Sequence, residues 1–421
     1  MREHGRVSAR RRAERRGLRL WPVGTALALT FTAAVVVAAA VFYTGWDLLD
    51  ARGLKAERRL DSQTLFDLVK LSFGVVAGAG ALVALVVAYR RQRVDEDGAL
   101  REATRLHTER FTAAVTQLGD DSAAVRLGGV HALAGLADDA PTRDLRQTCI
   151  DVLSAYLRLP YTAKADLPDD DAPARHAYLA LREVRHTILR LIRDHLRLEA
   201  DHAHSWQGHD FDLTEVVFDG GDLSHAIFSE GTVDFRGATF SEGTVDFRRA
   251  RFCGSSVSFS GARFSGGSVD FREAEFPGGT VDFGTAEVSG GMVDFSEAQF
   301  SGGTIYFSEA QFSGGRVDFI GTQISGGNVD FRGAQFSGGT IYFYETQFSG
   351  GRVDFRRAQF SGGTVDFNNP ADLGSPLHAD SPVGFGSATG VAPVGLVPSD
   401  ETALPTGLSL PTAWYPGGGA A

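Results

Sequence analysis

Residues 348–367 read F-S-G-G-R-V-D-F-R-R-A-Q-F-S-G-G-T-V-D-F, and this reading decides the fold of the last third of the chain. The twelve-residue unit F-S-G-G-T-V-D-F-x-x-A-x recurs twelve times between Phe228 and Phe367. Its second Phe is present in every copy, through Phe235, Phe259, Phe295 and Phe331 to Phe367, and its first lapses only to Val288 and Ile324. These two columns hold 22 of the 30 Phe, enough to line one continuous aromatic core. A fixed period with a fixed aromatic position predicts a stacked solenoid, in which neighbouring units share a core that none could bury alone.

Within a unit the alternation has period two, as in a strand with one wet face. Val233 and Phe235 are expected to point inward with Asp234 between them pointing out, and Ala238 and Phe240 inward around Thr239. The Gly pairs, such as Gly266-Gly267, Gly302-Gly303 and Gly350-Gly351, fall between strands, where they supply the positive φ of tight corners. A helix is excluded, because two adjacent Gly per unit would cost about 2 kcal/mol relative to Ala.

The V-x-F and A-x-F triplets lie five residues apart, as at Phe235 and Phe240, and in this they resemble pentapeptide repeats. That resemblance implies a right-handed quadrilateral β-helix. The chain departs from the pure pattern, since its central Phe are spaced five, then seven, with the Gly pair as the two extra residues. A coil of 24 residues, two units per turn, and a two-sided coil of twelve both satisfy the columns. With strands about 4.8 Å apart, six coils of the longer kind make a rod of roughly 29 Å.

Two apolar stretches precede the repeats. Residues 25–43 and 71–89 each run 19 residues without a charge, close to the thickness of a bilayer core, with Trp21, Trp46 and Tyr89 near their ends. Eight Arg stand in the first 19 residues, Arg90, Arg91 and Arg93 follow the second stretch, and the segment between the stretches is balanced in charge. The positive-inside rule then predicts a two-span transmembrane hairpin in the plasma membrane with both ends cytoplasmic and the lipid bilayer as a partner. A cleaved signal peptide is the competing reading of the first stretch, and the second stretch argues against it. Gly74 and Gly78 stand at GxxxG spacing, which lets two helices approach closely within the hairpin or between two copies in a homodimer.

Residues 95–204 lose Gly and gain Leu, Ala, Arg and Glu. Ser122 is placed to cap a helix with Val125, Leu127, Val130, Leu133 and Leu136 on one face. A second helix passes through Leu145, Ile150, Val152, Leu153 and Leu157, and the pair resembles a HEAT-type or armadillo-type hairpin. A Pro- and Asp-rich linker, 160–173, precedes a long amphipathic helix over 175–198. The order of segments also resembles a group of actinobacterial membrane proteins, through R-Q-T-C-I-D-V-L-S-A-Y-L-R-L-P-Y from Arg146, V-R-H-T-I-L-R-L-I from Val184 and S-W-Q-G-H-D-F-D-L-T from Ser205. It implies fold and membrane attachment and carries no activity. The expected fold class is thus a membrane-anchored α plus β-solenoid chain. Its parts are a basic N-terminus (1–19), a transmembrane hairpin (20–89), a helical domain (90–204), a pentapeptide-type β-helix (205–370) and a Pro/Gly/Ala-rich tail (371–421), disordered beyond a short cap.

Chemistry is sparse. Cys149 and Cys253 lack metal-ligand spacing and read as free thiols. His202, His204 and His209 with Asp210 and Asp212 are the densest group of metal-type ligands, but their spacing fits no zinc signature, and a polar first strand with Trp206 covering the open Phe stack accounts for them. There is no nucleophile elbow, phosphate loop or recognisable pair of catalytic carboxylates, so no catalytic residue, metal or cofactor is assigned. The candidate interaction face is the outward column Asp234, Asp246, Asp270, Asp282, Asp294, Asp318, Asp330, Asp354 and Asp366, interrupted by Ser258, Tyr306 and Tyr342. Some pentapeptide-repeat proteins mimic duplex DNA and bind gyrase, which needs a strongly anionic rod. Residues 228–367 hold 17 acids against 11 Arg, a net of −6, which reads as a mixed, solvated face. The net charge of −11 also argues against direct nucleic-acid binding. The leading expectation is a non-enzymatic membrane-anchored scaffold presenting its β-helix to an unknown protein. Inhibition or protection of a gyrase-type enzyme by partial DNA mimicry comes second, and a membrane sensor third.

Overall fold

The computed structural model describes residues 62–162 and 171–368, three positions between those segments, isolated positions from Thr25 to Asp47, and residues 388–390, 393–396, 408–411 and Trp414 of the tail. Among the described residues, four long helices precede the solenoid from Ser62 on: α1 (Ser62–Leu118), α2 (Ala123–Asp138), α3 (Arg143–Leu157) and α4 (Ala172–Leu196). The chain forms two compact units, Met1–Ala103 and Thr104–Ala421, whose boundary falls within α1.

The expectation of a transmembrane hairpin is corrected. Among the described residues, no helix is long and apolar enough to cross a membrane. The stretch expected as the second span is not a separate limb. It is the first part of a 57-residue helix that runs on without a turn through Arg90, Arg91, Arg93, Asp95, Glu96 and Asp97. The side chains of Ser72, Val75, Val76 and Ala79 lie outside the described residues, as do most of the first expected span and the segment 48–61. The fold class is therefore a helical N-terminal region followed by a β-solenoid. The multi-pass plasma-membrane placement with cytoplasmic ends is withdrawn, and the membrane-sensor reading with it. Gly74 and Gly78 lie exposed on α1, and among the described residues nothing beyond the neighbouring residues and backbone of the helix itself comes within 4 Å of where a Cβ would stand.

In the second unit the helical region folds as its periodicity predicts. Val130, Leu133 and Ala137 of α2, Ile150 and Leu153 of α3, and Val184, Ile188 and Ile192 of α4 bury in one core with Ala114 and Leu118 of α1. Val125, expected on the inner face, is exposed, and Cys149 takes a fully buried place beside Ile150. Ser122 sits at the N-cap of α2 without a side-chain bond, whereas Thr142 and Asp171 accept from Leu145 N and Ala174 N to cap α3 and α4.

The solenoid turns once every 24 residues. Val233 pairs in parallel with Val257, Val257 with Val281 and Val281 with Ile305, and the same register holds around the coil. The two-sided coil of twelve is thereby excluded. Each turn carries four short strands, giving four side faces and about six turns. Face 1 runs from strand 211–212 to 352–354, face 2 from 217–218 to 359–360, face 3 from 221–222 to 364–366 and face 4 from 227–228 to 347–348. Faces 2 and 3 merge into one sheet where strands Gln311–Asp318 and Gln335–Tyr342 continue around the corner. The first coil is shorter by two residues, since Phe211 pairs with Val233.

The Phe columns fill the lumen. Phe295 is fully buried, stacks on Phe271 at 4.8 Å and Phe319 at 5.0 Å, and meets Phe283 and Phe307 edge-on. Where Val288 replaces a ring between Phe264 and Phe312, a void of about 10 Å³ remains. The Gly pairs are needed twice over. A Cβ on Gly266 would lie 2.6 Å from the Ser241 carbonyl oxygen of the preceding coil, and Gly351 has φ +72°. A second left-handed position was missed by sequence reasoning. The penultimate residue of F-x-x-A has positive φ even where it is Glu273 or Arg249. There a turn closed by Ala274 N–H donating to the Phe271 carbonyl (3.0 Å) demands it.

Candidate interaction faces and the helix–solenoid junction

The 24-residue turn splits the Asp column between two faces. Asp234, Asp282, Asp330 and Asp354 stand on face 1, and Asp246, Asp270, Asp294, Asp318 and Asp366 on face 3. Of the interruptions, Ser258 and Tyr306 fall on face 1 and Tyr342 on face 3. Face 3 therefore carries an unbroken run, Asp222, Asp246, Asp270, Asp294 and Asp318, one carboxylate per coil.

These carboxylates do not simply project into water. Asp318 is 1% exposed, and Asp270, Asp294, Asp330, Asp354 and Asp366 are also buried, while Asp234, Asp246 and Asp282 are half-buried. The cause is local. The Asp Oδ1 accepts the backbone N–H two residues on, from Arg272 to Asp270 (3.0 Å), Gly284 to Asp282 (2.7 Å), Ser296 to Asp294 (2.8 Å) and Asn368 to Asp366 (2.9 Å). This is an Asx-type turn that tethers the side chain over the corner. Arg then folds back onto the same carboxylate: Arg236 on Asp234, Arg248 on Asp246, Arg272 on Asp270, Arg332 on Asp330 and Arg356 on Asp354, at 2.5–2.6 Å. Arg316 reaches Asp318 from two residues before it, at 2.8 Å, and lies 4.9 Å over the Tyr342 ring. Arg248 and Arg272 also approach the Asp of the next coil, at 3.7 and 3.6 Å, so face 3 is a ladder of alternating charge. The Arg356 hydrogen bond, helped by Arg352, holds the Asp354 carboxyl well below the usual carboxylate range.

A second constellation lies where the helices meet the first coil. Asp219, 4% exposed, accepts from the Tyr161 hydroxyl (2.5 Å), the Tyr178 hydroxyl (2.8 Å) and Arg182 Nε (3.0 Å), and contacts His186 Nε2 at 3.0 Å. Burial alone would raise its pKa, but the hydrogen bonds from His186, Tyr161 and Tyr178 outweigh it and keep the carboxylate far below its ordinary range. Burial, reinforced by the bond to Asp219, pushes the Tyr161 hydroxyl up. Beside it the buried Arg185 donates to the carbonyls of Leu157 and Val217, both at 2.6 Å, bridging α3 to face 2. Arg158 pairs with Asp212, Arg193 with Asp222, and Arg197 with Ser224. An open cleft of about 450 Å³ lies between Arg182, His186, Thr244 and Arg248. The sequence held a signal for this junction: Phe218-Asp219-Gly220-Gly221 resembles the repeat unit with Asp where most later copies carry Ser.

The histidine group is dispersed. His202 and His204 face each other edge-on, whereas His209 is buried with Nδ1 3.3 Å from the Trp206 carbonyl. Burial, with Arg143 and Arg146 nearby, lowers the His209 pKa. Asp210 accepts from Thr232 N, and Asp212 pairs with Arg158. Among the described residues no group of His, Cys, Asp and Glu could hold a metal ion. Trp206 stacks on His195 at 4.1 Å and donates to Asp138 at 3.3 Å, so it belongs to the helical core. It is Trp414 of the tail that packs edge-on against Phe348 and Phe367 at the other end of the Phe stack. Burial raises the pKa of the Cys149 thiol to about 11, and His107 Nε2 lies 3.9 Å from its sulfur.

Comparison with known families matches residues 326–369 to a profile described as pentapeptide repeats (9 copies). No curated protein and no solved structure matches the chain. The matched residues lie within the last coils, so the similarity concerns the solenoid, and the membrane-protein resemblance of the other segments gains no support from it.

Proposed function

We propose that the protein is a non-enzymatic interaction module that binds a protein partner along the side faces of its solenoid. The observation that carries this reading is that both ends and the interior of the solenoid are already occupied. Side chains of α3 and α4 cover the first coil, residues of the tail pair with the last, and Phe rings fill the lumen. What remains is a set of rigid lateral surfaces in which each coil repeats the same groups one strand spacing on, a form suited to extended recognition. The similarity to pentapeptide repeats supports the same reading. The Asp–Arg ladder of face 3 fits a partner of mixed charge better than a purely basic groove.

A second reading, partial DNA mimicry toward a gyrase-type enzyme, is favoured by the five consecutive carboxylates of face 3. It ranks lower because they stand about 4.8 Å apart against one charge per roughly 1.7 Å of duplex, and most share an Arg. Affinity capture with the full chain as bait, and with a variant carrying Asp282→Asn, Asp294→Asn, Asp318→Asn and Asp330→Asn, tests both. The proposal expects a protein partner held by the unmodified chain and released by the variant. A partner retained equally by both would remove the Asp-bearing faces from the reading. Inhibition of gyrase supercoiling at physiological salt, lost in the variant, would put the second reading first.

A further inference from the structure

The first coil is short at one corner. Phe218 pairs with Phe240 and Gly221 with Val245, so the chain passes from Phe218 to Gly221 where the next coil runs from Phe240 to Val245. The two residues missing between faces 2 and 3 leave a notch, which opens as the cleft of about 450 Å³. Gly220 and Gly221 line it, with φ of +113° and +152°. A Cβ on Gly220 would come 3.6 Å from His186 Cε1, and one on Gly221 2.6 Å from Leu189 Cδ1, so side chains here would close the space beside α4. The shortening also strands a donor. Ser268 N–H donates to the Gly243 carbonyl and Met292 N–H to the Gly267 carbonyl, one coil back in each case. Thr244 holds the same position against the short corner. Its N–H makes no such bond among the described residues, and Thr244 lines the cleft.

Hydrogen bonding around the notch is one-sided. Its carboxylates are engaged: Asp219 by Tyr161, Tyr178, Arg182 and His186, Asp222 by Ser224 and Arg193, and Asp246 by Arg248. Its cations are not used up. Arg182 bonds through Nε alone, and Arg248 through its backbone N–H, Nε and Nη2. Their side chains stay 39% and 50% exposed. Donors are thus left over on Arg182, Arg248 and Thr244, beside acceptors that are already taken. We infer that the notch binds the phosphate group of a small ligand, held between Arg182 of α4 and Arg248 of the second coil. Guanidinium N–H groups match phosphate oxygens in pairs. Donors that arrive from a helix, a solenoid corner and the backbone suit a tetrahedral group better than a planar carboxylate. The acids and Arg of the lining nearly balance, so recognition rests on unused donors and the affinity is modest. The volume is that of a small-molecule site. None of Asp282, Asp294, Asp318 and Asp330 lines the notch, so this inference and the lateral-face function fail separately.

Isothermal titration calorimetry of the full chain tests the inference, at neutral pH and fixed ionic strength, with inorganic phosphate, phenyl phosphate and acetate as probes. Binding of a phosphate probe and none of acetate is expected. Arg182→Gln and Arg248→Gln should each weaken phosphate binding about tenfold or more. Arg332→Gln removes the same kind of Asp clasp on face 1 and should bind as the unmodified chain does. Circular dichroism checks that each variant keeps its β-signal; if Arg182→Gln loses it, Arg248→Gln on the exposed corner decides. Tighter binding of phenyl phosphate than of inorganic phosphate assigns the site to a phosphorylated molecule, and the reverse order to the free anion; both support a phosphate site. Absence of binding by both phosphate probes at millimolar concentration overturns the inference. So does binding that survives the notch variants, and so does equal weakening in Arg332→Gln, which would make the effect one of overall charge. Acetate binding as tightly as phosphate overturns the choice of phosphate.

Discussion

Replacing Asp270 by Asn and by Ala separates the structural task of a face carboxylate from its charge. Asp270 is buried, its Oδ1 accepts the Arg272 N–H at 3.0 Å, and its carboxylate pairs with the Arg272 guanidinium at 2.6 Å. Ala removes both interactions. The orphaned N–H at the corner costs about 1–3 kcal/mol, and the ion pair, whose Arg side chain is 47% exposed, about 0.2–1 kcal/mol. The expected loss is therefore roughly 1–4 kcal/mol for Asp270→Ala. Asn keeps an Oδ1 acceptor for the turn and gives up only charge, so Asp270→Asn should cost about 0.2–1 kcal/mol. Neighbouring coils share stability, so hydrogen exchange read peptide by peptide is the suitable assay, with thermal melting beside it. Protection should fall in the Ala variant over the coils holding Asp246, Asp270 and Asp294, and little in the Asn variant. Equal loss in the two variants would show that charge carries the stability. No loss in either would remove the carboxylate from the turn altogether. Tolerance of Asn also makes the four-Asn variant a clean probe of charge on an intact fold.

Phe295→Ala removes a ring flanked by two stacked and two edge-on partners, and local unfolding should become easier by about 3–5 kcal/mol; an unchanged melting curve would contradict the dry-lumen assignment. Val288→Phe restores the missing ring between Phe264 and Phe312 beside the 10 Å³ void. It should raise stability by about 1 kcal/mol, and a lower melting temperature would mean that the column is already full. The pH profile should show His195. Burial lowers its pKa, but hydrogen bonds to Asp138 (3.1 Å) and the Leu191 carbonyl (2.6 Å) outweigh burial and raise it, so both ring nitrogens donate. Its folded pKa lies above the unfolded value of about 6.5. Its contribution is therefore complete below about pH 6.5 and is lost as pH rises through the folded pKa. The stability gap between the wild type and His195→Gln should narrow as pH rises from 6 to 9, and a gap constant over that range would refute the assignment.

How far the sequence reached depends on the range of the interaction concerned. The Phe, Val and Gly columns specified inward and outward positions, because the period-two pattern and the corner Gly are set by residues next to each other in the chain. Phe235, Phe259 and Phe295 are buried as the pattern requires, and Trp206 is buried too, but in the helical core instead of over the Phe stack. The number of residues per turn was not legible, since columns of period twelve look alike in a two-sided and a four-sided coil. Only hydrogen bonds between residues 24 apart separate them, and these place Asp282 and Asp294 on different faces. Asp219 escaped notice for the same reason. Its partners Tyr161, Tyr178 and His186 lie 33 to 58 residues away and converge only when α4 packs on the first coil. The charge of the Asp column was visible in the sequence. So was its offset by the interspersed Arg. The burial of most of these carboxylates was not, because a side chain drawn onto the N–H two residues on depends on a corner that closes only when coil stacks on coil.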